Sequence, residues 1–200
     1  MPPPPKAVWR DRILTARREL SAARRRIEDT ALATVASTLA PAGSMVCAYV
    51  PVGSEPGSIA LLDALTEAGT TVLVPVTRTG EPLSWARYMG EKTLMAADFG
   101  LREPGGEIFP PEAVAKAHTV LVPALAVDAR GVRLGRGAGF YDRTLHLASP
   151  EAVIIAVVRD EELVDELPED PHDIRMGWAL TPGKGLVRLG SGDRAEQHTP

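Results

Sequence analysis

The chain has 200 residues, 44% hydrophobic and 24% charged, the balance of a globular protein with one core and not of a disordered or fibrous chain. A formal net charge of -4 excludes a protein that coats nucleic acid, because displacing phosphate counterions needs an extended basic face. The one cysteine, Cys47, excludes an internal disulfide framework and a cysteine-held metal cluster, and no run approaches the roughly 18 apolar residues of a membrane span; the expected location is the cytoplasm.

In chain order, residues 1–5 (MPPPP) read as a disordered leader. From Lys6, the stretch KAVWRDRILTARRELSAARRRIEDTALATVASTLA places Val8, Ile13, Leu20, Ile27, Leu32 and Val35 at helical spacing. This predicts one helix, or two with a break at Ser21, a residue able to cap the second. SMVCAYVPV is a short strand with Cys47 as a small buried residue; a reactive thiol there would want a neighbouring His or helix terminus. After the turn-like GSEPGS, the helix IALLDALTEAG closes at Gly69, and TTVLVPV repeats the strand pattern. A strand, helix, strand unit predicts a parallel pair.

EPLSWARY alternates as a strand, and MGEKTLMAADFGLREPGG reads as a surface loop. HTVLVPALAVDA is a continuous apolar run, expected as one central strand buried on both faces. A glycine-rich stretch follows, then a helix from about Gly139 to His146, a buried strand AVIIAVV, and a last strand in MGWALTP. Residues 184–200 read as a flexible tail. With no repeats and no second domain, the alternation predicts a single α/β domain over residues 6–183, a mostly parallel open sheet with helices on both faces.

The stretch richest in chemistry is GVRLGRGAGFYDRTL, residues 131–145. It follows the strongest strand, and open sheets of this kind bind ligands beyond the carboxyl ends of their strands. Gly135, Gly137 and Gly139 let the backbone approach a ligand and turn consecutive N–H groups inward as an anion nest. The next helix would add its N-terminal N–H groups, and Arg133 and Arg136 can fork onto phosphate or carboxylate oxygens. Asp142 would repel phosphate unless a divalent cation lay between them, and that mixture of oxygens suits Mg²⁺. The stretch departs from G-x-x-x-x-G-K-[ST], so spacing alone leaves a structural strand-to-helix turn open beside a nucleotide cradle.

VPALAVDARGVRLGRGAGFYDRTL resembles the signature of the 5-formyltetrahydrofolate cyclo-ligase family: a strand, an Asp-x-x-Gly turn and an R-L-G-x-G-x-G-[FY]-Y-D-R loop. KAVWR is similar to that family's N-terminal Lys-x-x-x-Arg element, and YVPVGSEPGS to its substrate segment with a central Glu. FGLREP and PHDIRMGWALTP match further landmarks, so the resemblance covers the chain outside its leader and tail. It implies ATP-dependent closure of 5-formyltetrahydrofolate to 5,10-methenyltetrahydrofolate, with ADP and phosphate released, Mg²⁺ required and the formyl oxygen phosphorylated on the way.

The resemblance also implies roles. ATP contacts fall on Lys6 and Arg10, then on Arg133, Leu134, Gly135, Arg136, Gly137, Ala138, Gly139, Phe140 and Tyr141. Formyl-folate contacts fall on Val50, Glu55 and the stretch from Arg136 to Phe140; Mg²⁺ ligands fall on Asp142 and Asp173. Arg136 is expected to stabilise the transferring phosphoryl group, and Glu55 to accept from the pterin amino and ring N–H groups. Lys6 and Arg10, four apart, share a helix face, yet Arg12, Arg17 and Arg18 make a solvated basic face the favoured reading of the residues alone.

Asp173 by itself would read as a loop cap, and His172 has no use in an all-oxygen Mg²⁺ site. Trp85 and Tyr88 could stack on the folate rings or be buried in the core. Gly177 stands where relatives often carry Asp, Val127 where an aromatic is common, and Ala138 where Gly or Lys is frequent. The expected partners are two small molecules, with neither nucleic acid nor membrane, in a monomer. The competing reading is a folate- or nucleotide-binding protein of the same fold without turnover. A sugar-phosphate isomerase or acyl-transfer enzyme would need a dedicated acid–base or covalent carboxylate, and the sequence nominates none.

Overall fold

In the computed structural model, which describes residues 3–171 and 173–190, Ser21 divides the N-terminal helical run into α1 (Lys6–Glu19) and α2 (Ala22–Ala36). Its hydroxyl oxygen accepts from the Arg24 N–H at 3.2 Å, satisfying one of the donors a helix start leaves open. Ile13 and Leu32 are buried, whereas Val8 and Ile27 are 54% and 72% exposed. The two exposed residues each lie five positions before the buried one, about 140° round the helix, so they cannot share its stripe. The first two residues of the expected leader lie outside the described residues; the carbonyl of Pro5 accepts the Val8 N–H at 3.0 Å and so starts α1.

β1 (Met45–Cys47) and β2 (Thr71–Val76) are parallel and joined through α3 (Ile59–Glu67), which Gly69 closes at φ 85°. β3 (Ser84–Arg87) returns antiparallel to β2. The segment expected as a surface loop contains β4 (Leu94–Ala96) and β5 (Arg102–Pro104), paired with each other, before β6 (Ile108–Phe109) joins β3. The run read as one central strand is two. β7 (Thr119–Pro123) lies in the middle of the main sheet, and β8 (Ala126–Asp128) leaves it to pair with β9 (Arg133–Leu134). Pro123 has no N–H to extend the ladder, a local reason for the chain to change sheets there.

α4 (Phe140–Leu145) follows, then the main-sheet strand β10 (Val153–Val157) and β11 (Leu163–Val164), which completes the small sheet. β12 (Trp178–Thr181) is parallel to β10. The expected tail begins too early: β13 (Gly185–Arg188) pairs antiparallel with β12, and the Gly183 and Lys184 N–H groups donate to the Asp160 carboxylate at 2.9 and 3.1 Å. The part of the tail from 191 to 200 lies outside the described residues.

The main sheet has the order β13-β12-β10-β7-β1-β2-β3-β6, with the five strands from β12 to β2 parallel. Its central strands are buried on both faces by period-two alternation. Val46, Val72, Leu121 and Ile155 pack under α2 and α3, while Cys47, Leu73, Val120 and Ala156 pack on the side of α4 and a 3-10 helix, Pro111–Lys116. The chain leaves β1 on one side for β2 and β3, and continues on the other through β7, β10 and β12. Strand order therefore reverses between β1 and β7, where open sheets of this type present a crevice. Among the described residues, no helix is long and apolar enough to cross a membrane.

Candidate active site

A cavity of ≈ 540 Å³ opens at that reversal, beyond the carboxyl ends of the strands. Val50 and Glu55 come from the segment after β1, Thr77 from the end of β2, Pro123 and Ala124 from the end of β7, and the far wall is the glycine loop between β9 and α4. The loop is held from beneath by Asp128, which is fully buried. One carboxylate oxygen accepts the Arg130 and Val132 N–H groups, both at 2.9 Å, and the other accepts the Leu167 N–H at 3.0 Å. The Asp-x-x-Gly turn is thus a clamp that aims the loop.

Within the loop Gly137 and Gly139 adopt φ 101° and 72°, conformations that an L side chain strains to reach. A Cβ on Gly135 would stand 2.7 Å from Nη1 of Arg133. Arg10, reaching over from α1, donates from Nε to the Gly135 carbonyl at 2.9 Å. Gly135, Ala138, Phe140 and Tyr141 all form part of the cavity wall, whereas Leu134 faces a core beneath α1, and Lys6, Arg10 and Asp173 stand outside the wall.

The charged candidates neutralise one another. Arg133, only 8% exposed, donates from Nη2 to Asp142 Oδ1 at 2.5 Å and from Nη1 to the Pro123 carbonyl at 3.3 Å. Nε of Arg136 lies 3.2 Å from Glu55 Oε1, so this pair spans the cavity between the β1 side and the loop. Nζ of Lys6 lies 2.7 Å from both Asp170 and Asp173. Burial raises the Glu55 pKa, opposed by the Val52 N–H bonded to its other oxygen at 3.0 Å and by Arg136.

The two expected metal ligands are therefore held by different cations, and no cluster of three or more His, Cys, Asp or Glu side chains able to hold a metal occurs among the described residues. That donor set does not fit an all-protein cage. Carboxylate oxygens are the donor type that Mg²⁺ takes, one or two at a time beside phosphate oxygens and water. His172 lies outside the described residues. Cys47 is excluded as a nucleophile because burial pushes its thiol up to about 12. Trp85 and Tyr88 are 1% and 2% exposed and absent from the cavity wall, and the Tyr88 hydroxyl donates to Asp63 at 2.7 Å, so both belong to the core. Val127 is buried in β8, and Gly177 acts through its backbone, its N–H donating to the Ile154 carbonyl at 3.2 Å and its carbonyl accepting from Leu189 at 2.9 Å.

One charged wall residue escaped the sequence reading. Arg17, grouped there with the solvated arginines of α1, is 1% exposed. Its Nε and Nη2 fork onto Glu162 at 2.6 and 2.8 Å, and Nη2 also reaches the Ala124 carbonyl at 2.7 Å. Glu162 in turn accepts the Arg159 N–H at 2.8 Å, and Arg159 pairs with Glu28 at 2.7 Å, tying α1 and α2 to the segment after β10. Lys6, Arg10 and Arg17 follow a four, then seven spacing that keeps them on one face of α1; that periodicity was the signal available.

A model of the 5-formyltetrahydrofolate cyclo-ligase family matches residues 4–182. The chain belongs to this family. It is 54% identical over 194 residues to the 5-formyltetrahydrofolate cyclo-ligase of Mycolicibacterium smegmatis, covering 94% of this chain and 100% of the relative. It is 28% identical over 142 residues to the Escherichia coli cyclo-ligase, covering 70% of this chain and 78% of that one. Among solved structures it resembles the 5,10-methenyltetrahydrofolate synthetase of Aquifex aeolicus, with a TM-score of 0.74, 27% identity and 96% of both chains covered. The Mycoplasma pneumoniae synthetase shares the fold at a TM-score of 0.68 and 19% identity. The family match takes in every element of the cyclo-ligase fold seen here except β13.

Proposed function

We propose that this chain, acting as a monomer, closes 5-formyltetrahydrofolate to 5,10-methenyltetrahydrofolate, using ATP and Mg²⁺ and releasing ADP and phosphate. The observation that carries this reading is the cavity at the strand reversal, with a partly buried carboxylate on one wall, a glycine loop on the other and the Glu55–Arg136 pair bridging them, in a chain of the cyclo-ligase family.

A formamide oxygen is a very poor leaving group. Phosphorylation by ATP turns it into an imidate phosphate; nitrogen 10 of the folate then attacks the activated carbon and phosphate departs. Such chemistry asks a protein for alignment and charge stabilisation more than for a covalent nucleophile. Glu55 accepts hydrogen bonds from the pterin amino and ring N–H groups, and Val50 contacts its apolar surface. Arg136, released from Glu55, meets the charge that develops on the phosphoryl oxygens.

The loop from Arg133 to Tyr141 holds ATP with its backbone N–H groups, and Lys6 and Arg10 approach the phosphates from α1. Asp142 and Asp173 would hold Mg²⁺ beside those phosphates, where the ion offsets their negative charge. The paired state of Lys6, Arg133 and Arg136 supports this set, since each pairs with an assigned carboxylate that has a cation or a pterin donor to meet when ligands enter.

Purified chain mixed with 5-formyltetrahydrofolate and Mg·ATP should give a rise in methenyl-folate absorbance that needs ATP and disappears with a chelator. Folate binding with no absorbance rise and no ATP consumption would instead establish a binding protein without turnover.

A further inference from the structure

Two polar atoms on residues of the cavity wall are buried without a hydrogen-bond partner: Nη1 of Arg17 and the hydroxyl of Tyr141. Trp9, Arg25 and Trp85 also carry such an atom, but none of these lines the cavity. Buried polar groups in proteins are nearly always paired, so two orphans on one ligand-sized cavity point to a ligand acceptor. Arg17 is not free to turn away, because Glu162 and the Ala124 carbonyl fix its other nitrogens. Glu162 also balances its charge, which lets the spare N–H face a neutral group.

Arg17, Tyr141 and Glu55 line the same cavity. The Arg17 charge acts on the Glu55 carboxyl, and burial, then the Glu55 charge, keep the Tyr141 hydroxyl neutral and able to donate. Each Glu55 oxygen has one contact in the protein, to Val52 and to Arg136, and retains a lone pair for a ligand. This cavity therefore offers acceptors as well as donors.

We propose that Arg17 Nη1 and the Tyr141 hydroxyl donate to the ring carbonyl oxygen of the pterin, next to the N–H and amino groups that Glu55 accepts. The inference rests on the reading of this cavity as the formyl-folate site. A pterin edge presents amino donor, ring N–H donor and carbonyl acceptor in that order, and carboxylate followed by donors is its complement. Arg17 is in this reading a substrate-binding residue that selects the lactam edge. Its contact persists through phosphoryl transfer and ring closure, so it stabilises ground and transition states alike and moves KM more than kcat.

The test is isotope-edited infrared spectroscopy of 5-formyltetrahydrofolate bound to the full chain, labelled with ¹³C either at the ring carbonyl or at the formyl carbonyl. The ring-carbonyl band should lie below its position in water and move back up in Arg17→Lys, which keeps a cation opposite Glu162, and in Tyr141→Phe. KM for formyl folate should rise roughly tenfold or more in Arg17→Lys, the loss expected for a hydrogen bond from a charged donor, with kcat within about twofold. A wild-type ring-carbonyl band at its water position overturns the proposal without any variant, as does a shift confined to the formyl label. An unchanged KM in a folded Arg17→Lys protein does the same. Failure of the wild type to bind formyl folate would overturn the functional reading itself, whereas normal turnover with an unmoved ring-carbonyl band removes this contact alone.

Discussion

Gly131→Ala should cost this protein a large share of its stability. Gly131 sits at φ 91°, and a Cβ there would stand 2.3 Å from the Met176 carbonyl oxygen and 3.2 Å from the Met176 nitrogen. The same residue accepts the Met176 N–H at 2.8 Å, joining the Asp128 turn to the segment that carries Asp173. Left-handed backbone costs an L-residue roughly 1–2 kcal/mol. Displacing packed backbone adds about 1–3 kcal/mol, and the lost hydrogen bond about 1 kcal/mol. A total near ~4 kcal/mol, spread over the unfolding entropy of a chain of 200 residues, lowers the melting temperature by about 10 °C.

Gly80→Ala is the control: φ is 81° but nothing lies within 4 Å of the added Cβ, so only the backbone part remains and the fall should be about 2–5 °C. Calorimetry and urea midpoints on the two variants separate strain from collision. Equal losses at both positions would refute the close approach of the turn to Met176.

Three further outcomes separate the roles of the site residues. Arg136→Ala should lower kcat roughly 100-fold, as loss of a donor aimed at developing charge does, and raise the KM for formyl folate by less; a loss carried by KM alone removes the residue from transition-state stabilisation. Asp142→Asn should move the Mg²⁺ titration of turnover to higher concentration, and an unchanged titration would take Asp142 out of the metal site. Burial raises the Glu55 pKa above its ordinary value of 4.5, so its contribution to stability is fully present below that value and lost as pH rises through the raised one. Glu55→Gln should thus be at least as stable as wild type at pH 7, lose that advantage toward pH 4.5 and bind formyl folate poorly; thermal melts showing a less stable variant at pH 7 contradict the burial argument.

What could be read from the sequence was local. The Ser21 cap, the Gly69 helix end and the glycine loop each depend on neighbours within a few residues, and each stands where expected. The split of β7 from β8 was hidden because a continuous apolar run reads the same whether or not it changes sheets, and Pro123 alone marks the departure. β13 was missed because an edge strand of Gly, Leu, Val and Arg has too little alternation to stand out from a polar tail. Arg17 was missed for a different reason: its partner Glu162 lies 145 residues away, and only tertiary structure brings that carboxylate to α1. The same holds for the mutual neutralisation of Lys6, Arg133 and Arg136, which no spacing rule encodes.

The stripe of Lys6, Arg10 and Arg17 along α1 has a thermodynamic consequence. A helix of 14 residues is a rod about 21 Å long, touching the glycine loop near one end and the cavity floor near the other. A ligand that fixes Arg17 restricts the tilt of the rod, and with it the positions Lys6 and Arg10 can take. On the proposed assignment of formyl folate to Arg17 and of ATP to Lys6 and Arg10, the two ligands are coupled through α1, and reciprocity requires that each change the other's affinity by the same factor.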